Sequence, residues 1–137
     1  MHLDPTAFIA DPILIHELQQ QATPISCGND TVLFLQGDAP MGLYILQSGE
    51  VTLTMSSSSG KEIISTKAAA GSLLGLPGLI GNEPYSLTAT AHAGSEVGFV
   101  ARESFTAIMR TDPLLALKVL RVLAAEVRSA RSAILQR

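Results

Sequence analysis

Side chains able to do chemistry are sparse in this sequence, and their spacing argues against catalysis. His2, His16 and His92 fall on separate segments, with no spacing that would gather them around a metal ion. No serine, histidine and acid lie in a local context that suggests a nucleophilic set, so an enzyme is not expected. Cys27 is the single cysteine, which permits neither an internal disulfide nor a thiolate cluster. Asp38 and Glu50 stand at turns and read as solvated carboxylates. Lys118, Arg121, Arg128, Arg131 and Arg137 sit near the end of the chain against Glu126. They read as the solvated flank of a helix rather than a nucleic-acid face, since no aromatics are interleaved with them for stacking.

The elements that must position any site come from periodicity. Asp11-Pro12 before Ile13, Leu14 and Leu18 predicts a short capped helix. Gln19 to Gly28 is polar and reads as a connector. Strands follow at Thr31–Gln36, Leu43–Gln47 and Val51–Met55, and the serine run from Ser56 to Gly60 makes a hairpin tip before Lys61–Lys67. Gly71 to Pro84 is apolar but broken by four glycines, so a single helical turn between tight loops fits it. Ser86–Ala93 and Ser95–Ala101 return to strand, and Glu103–Arg110 is a short helix. Asp112-Pro113 then starts a long one. In that last helix Ala116, Leu120, Leu123, Val127, Ala130 and Ile134 recur at alternating spacings of four and three, a seam that fits a partner helix. Leu114, Leu115, Leu117, Val119 and Val122 add apolar surface on other sides, so the helix can also pack on its own domain, with pairing the favoured reading of the seam.

The bulk numbers agree with one small domain. The chain has 137 residues, 47% of them hydrophobic, and carries a net charge of −3, which leaves no global nucleic-acid footprint. Only 15% of the residues are charged, below the usual quarter, as though a partner covers part of the surface. Neither a signal peptide nor a membrane span is apparent, so a cytoplasmic location without membrane attachment is expected.

The run Gln36-Gly37-Asp38, then Gly42-Leu43-Tyr44-Ile45-Leu46, then Ser48-Gly49-Glu50-Val51 resembles the glycine-punctuated strand pair of cyclic-nucleotide-binding domains. It is most similar to the sensor half of the catabolite-activator and fumarate/nitrate-regulator (Crp/Fnr) transcription factors, over nearly the whole chain from Phe8. The resemblance implies a mainly β fold with α. It is a jelly-roll-like double-stranded β-helix, or β-roll, with a short N-terminal helix, a short cassette helix and a long C-terminal dimerisation helix. The roll with its short helices would span 8–111 and the pairing helix 113–137. In such regulators a helix-turn-helix domain follows. The 137 residues contain none, so nothing in them is expected to read DNA.

The resemblance also makes Gly71 to Ala91 the counterpart of the phosphate-binding cassette, where backbone N–H groups at a helix start face an anion. Gly71, Leu74 and Gly75 match its beginning, and Pro84, Thr88 and Ala91 its end. Leu76 stands where a ribose-binding glutamate belongs, and Tyr85 where a phosphate-binding arginine belongs. No Lys or Arg occurs between Lys67 and Arg102. Losing two charge-assisted contacts weakens binding by roughly 3–6 kcal/mol, about a hundred-fold to ten-thousand-fold. No cofactor is therefore expected, and tight cyclic-nucleotide binding is disfavoured. Two readings stay open: the pocket takes an unidentified, less charged small molecule through the hydroxyls of Tyr85, Ser86 and Thr88, or Leu74, Leu76 and Leu79 fill it. Homodimerisation is expected through Leu120, Leu123, Val127, Ala130 and Ile134.

Overall fold

A computed structural model describes residues 3–135 of the chain. It contains eight strands in two four-stranded antiparallel sheets, four α-helices and one 3₁₀ turn at Pro5–Phe8. Helix α1 spans Pro12–Gln19, and the Asp11 side chain accepts from the Ile13 N–H at its start. The first sheet has the order β1 (Thr23–Ser26), β8 (Glu96–Ala101), β3 (Gly42–Ser48) and β6 (Leu73–Leu74). The second has the order β2 (Thr31–Phe34), β7 (Thr88–Ala91), β4 (Glu50–Ser56) and β5 (Glu62–Ala69). Helix α2 (Leu76–Gly81) lies between β6 and β7, and α3 (Arg102–Thr111) and α4 (Pro113–Leu135) close the chain. This is the β-roll with short helices and a long final helix that the sequence led us to expect.

Four local readings differ from the structure, the first being Ser86–Ala93, which is strand only over Thr88–Ala91. Thr23–Ser26 lies in the segment read as a connector, yet it is an edge strand paired antiparallel with β8. It is mostly exposed, so no apolar alternation marked it, and its Pro24 is tolerated because an edge strand has one unpaired side. Leu35 and Gln36 fall outside β2: the Asp38 carboxylate accepts from the Leu35 N–H, which turns the chain early. Leu73–Leu74 is a two-residue strand on β3 within a stretch that looked too rich in glycine for one.

The apolar residues divide between two cores. One lies inside the roll, where Phe34, Leu46, Val51, Leu53, Ala89 and Ala91 meet between the sheets. The other joins the outer face of the first sheet to the helices. There Leu14 and Leu18 of α1, Leu43 and Ile45 of β3, Phe105 of α3, and Leu115, Val119 and Val122 of α4 pack together. A 2.7 Å ion pair from Lys118 to Asp11 fastens α4 to α1. Asp112 caps α4 by accepting from the N–H groups of Leu114 and Leu115. The cassette segment, β6 to β7, is thus held between the two cores and faces α4.

Candidate functional site

Helix α2 is six residues long, and its start is shaped by glycine and proline. Gly75 caps it at φ +89°, a left-handed conformation that favours glycine, and Pro77 in the first turn contributes no N–H. A Cβ at Gly75 would come within 2.8 Å of the Tyr85 ring, and one at Gly78 within 3.3 Å. Both glycines therefore clear room for a tyrosine. The Tyr85 ring stacks on Phe34 at a centroid distance of 4.1 Å. Its hydroxyl donates to the Gly42 carbonyl at 2.5 Å and accepts from the Gly42 N–H at 3.3 Å. Burial raises the Tyr85 phenol above its ordinary value. Phe34, Tyr44 and Phe99 continue the aromatic row, and burial pushes the Tyr44 phenol up to about 12.

The candidate ligand-binding residues do not all converge. Leu74, Gly75, Tyr85 and Ser86 line one small cavity with Phe8, Phe34 and Leu53. Leu76 instead points into the helix-facing core, fully buried among neighbours such as Leu43, Leu73 and Leu79. Gly71 borders a separate surface cleft beside α1, and the Thr88 hydroxyl accepts from the Gln36 N–H. The cavity at the cassette measures about 30 Å³. That is about one water's share of liquid volume and an order of magnitude below a typical ligand pocket.

Beside it, between the cassette and α4, lies an open groove of about 240 Å³. Phe8, Ile64, Pro77 and Leu87 form its roll side, while Leu123, Val127 and Ala130 form part of its α4 side. Glu126 borders both the cavity and the groove. Its Oε2 is buried with no hydrogen-bond partner among the described residues, and burial pushes the carboxyl up to about 8. In the sequence Glu126 stands only as a charge on the flank of the last helix. The overlooked signal is periodic: Leu115, Val119, Val122, Ser129 and Ala133 form the buried stripe of α4, and Glu126 occupies the gap in its alternation of four and three. The seam residues Leu120, Val127 and Ile134 are 57%, 50% and 56% exposed, with Leu123 and Ala130 half-buried. His16 and His92 lie apart, and His2 is outside the described residues; no metal-holding cluster occurs among the described residues. Among them, too, no helix is long and apolar enough to cross a membrane.

The family model of the cyclic nucleotide-binding domain matches residues 24–112. The chain belongs to that family. A cyclic AMP receptor protein from Thermus thermophilus is 32% identical over 98 residues, covering 72% of this chain and 45% of that protein. This chain therefore matches less than half the length of that relative. The crystal structure of the Thermus thermophilus catabolite activator protein superposes with a TM-score of 0.79 at 25% identity, over 96% of this chain and 62% of that one. The sensor domain of the regulator DNR from Pseudomonas aeruginosa shares the fold, with a TM-score of 0.68 at 20% identity over 89% of this chain and 82% of that one. These findings place this cyclic nucleotide-binding domain beside the sensor domains of Crp/Fnr-type regulators.

Proposed function

We propose that this domain is a homodimeric ligand-sensing module, part of or derived from a transcription regulator, whose cassette does not hold a cyclic phosphate tightly. The observation that carries the reading is Tyr85. Where the family pattern asks for an arginine, a tyrosine ring is stacked on Phe34 and bonded to Gly42, and only about 30 Å³ remains free. The buried Leu76 and the absence of Lys and Arg between Lys67 and Arg102 support it. Without two charge-assisted contacts, cyclic AMP and cyclic GMP bind no tighter than roughly the high-micromolar range. Isothermal titration tests this, and sub-micromolar binding of either nucleotide defeats it.

Pairing through α4 is supported by the exposed stripe of Leu120, Val127 and Ile134 in a chain with few charges. Apolar side chains repeated along one helix face gain most by burial against the same face of a second copy. Light scattering at high micromolar concentration should give the dimer mass; a monomer there refutes the pairing. A second reading, a protein-interaction scaffold with an inert pocket, is favoured by the filled cassette alone. Native mass spectrometry separates the two, since a sensing module is expected to carry or accept a small molecule and a scaffold is not.

A further inference from the structure

The inward stripe of α4 has no structural need for an acid. Leu115, Val119 and Val122 precede Glu126 on that face and are buried, and Ser129 and Ala133 follow it, also buried. A carboxyl taken from water without a partner is costly, and an apolar side chain would fill the same place without that cost. The Glu126 carboxyl nevertheless lies between the cassette cavity and the 240 Å³ groove, with Oε2 fully covered and unpartnered among the described residues. The groove walls are chiefly apolar, with the hydroxyls of Ser86 and Ser129 as further polar side-chain groups. Among the described residues no Lys, Arg, His or Asp lines either space, and Tyr85 is the one other titratable group there that does. A lone acid in an apolar groove with room beside it has the chemistry of a counterion site.

We propose that the groove between α4 and the end of the cassette binds a small ligand with an apolar body and a cationic nitrogen, an amine or amidine, with Glu126 as its counterion. The proposal rests on the reading of the domain as a ligand-sensing module, and assigns its ligand the charge opposite to that of a cyclic phosphate. The volume suits a ring-sized body rather than a nucleotide: 240 Å³ is the liquid share of roughly eight waters. Burial holds the carboxyl largely protonated at neutral pH. A cation that enters with its own charge therefore releases the Glu126 proton to solvent and leaves a carboxylate facing the nitrogen. Binding strengthens as pH rises toward 8 and then levels. Because Leu123, Val127 and Ala130 line the groove and also belong to the pairing seam, the ligand rests against the helix that would carry its signal.

Titration of the whole chain with benzamidine, with neutral benzamide and anionic benzoate as isosteres and cyclic AMP in parallel, tests the assignment. Benzamidine should bind and benzoate should not. Its affinity should rise up to ten-fold between pH 6 and pH 7 and flatten above pH 8. Glu126→Gln should weaken benzamidine by about ten-fold to a hundred-fold, abolish the pH dependence and leave benzamide unchanged. Glu126→Gln replaces a carboxyl that burial keeps largely neutral with a neutral amide of the same volume, so folding should survive; far-ultraviolet circular dichroism checks this. Benzamidine no better than benzamide, or equally bound by Glu126→Gln, overturns the proposal. A Glu126→Gln variant that loses the dimer while ligand binding is unmoved also overturns it, because a partner's cation would then be the counterion. Sub-micromolar binding of cyclic AMP would instead defeat the cassette reading, an outcome read separately in the same experiment.

Discussion

Leu76→Glu with Tyr85→Arg writes the two charged cassette residues back into the sequence. The family resemblance alone expects a gain in cyclic-nucleotide affinity. The structure expects a loss of folding instead. Leu76 is fully buried in the helix-facing core, so its replacement forfeits about 1.5–3 kcal/mol of apolar burial. Desolvating a carboxylate there costs several kcal/mol more, or the group protonates and cannot serve the ribose as an anion. Tyr85→Arg removes the stack on Phe34, worth about 0.5–1.5 kcal/mol, and the hydroxyl's bond to Gly42, worth a similar amount. Together the two changes cost roughly 5–10 kcal/mol, against a total stability of about 5–15 kcal/mol for a domain. The restored contacts offer roughly 3–6 kcal/mol, and only when a nucleotide is bound. Thermal unfolding should therefore show the double variant far less stable than the parent, or without a cooperative transition, and millimolar cyclic AMP should not restore the parent's midpoint. Tyr85→Phe, which keeps the ring, should lose only about 1 kcal/mol. A double variant that unfolds at the parent's temperature and binds cyclic AMP below the micromolar range would refute the packing argument.

Stability should also depend on pH through Glu126. Its carboxyl is lifted from 4.5 to about 8, so between those values the unfolded chain has lost a proton that the folded chain keeps. The stabilisation is fully present below about pH 4.5 and is lost as pH rises through about 8, by at most about 5 kcal/mol. Urea unfolding of the parent and of Glu126→Gln at pH 5 and pH 8 should show the decline in the parent alone; parallel curves contradict it. Gly75→Ala should destabilise by about 1–3 kcal/mol, because alanine at φ +89° is strained and its Cβ meets the Tyr85 ring; an unchanged denaturation midpoint would speak against that. Asp112→Ala should cost about 0.5–2 kcal/mol in chemical denaturation by freeing the Leu114 and Leu115 N–H groups. Leu123→Glu with Val127→Lys should yield a folded monomer in light scattering; a persistent dimer would place the interface elsewhere.

Local chemistry alone determined much of this architecture. Alternation in Val51–Met55 specified a strand with Val51 and Leu53 turned inward, and the pair is buried in the roll. Asp11-Pro12 and Asp112-Pro113 marked helix starts because an acid before proline meets the capping needs of a first turn without any tertiary help. The glycine pattern around Gly37 to Val51 was enough to resemble the family to which the chain belongs. Edge strand β1 escaped because pairing with β8 forms it, while its own side chains are mostly exposed and carry no apolar rhythm. What occupies the cassette was likewise a tertiary matter. Tyr85 could as well have offered its hydroxyl to a ligand, and only the nearness of Phe34 and Gly42, about fifty and forty residues away in sequence, turned it inward. Glu126 shows the same division. Its place in the four-and-three alternation is written in the sequence, but α4 carries two such stripes, and which one faces the roll depends on where the sheets and α1 come to rest. A helix repeat fixes relative faces, whereas the burial that lifts this carboxyl comes from residues far away along the chain.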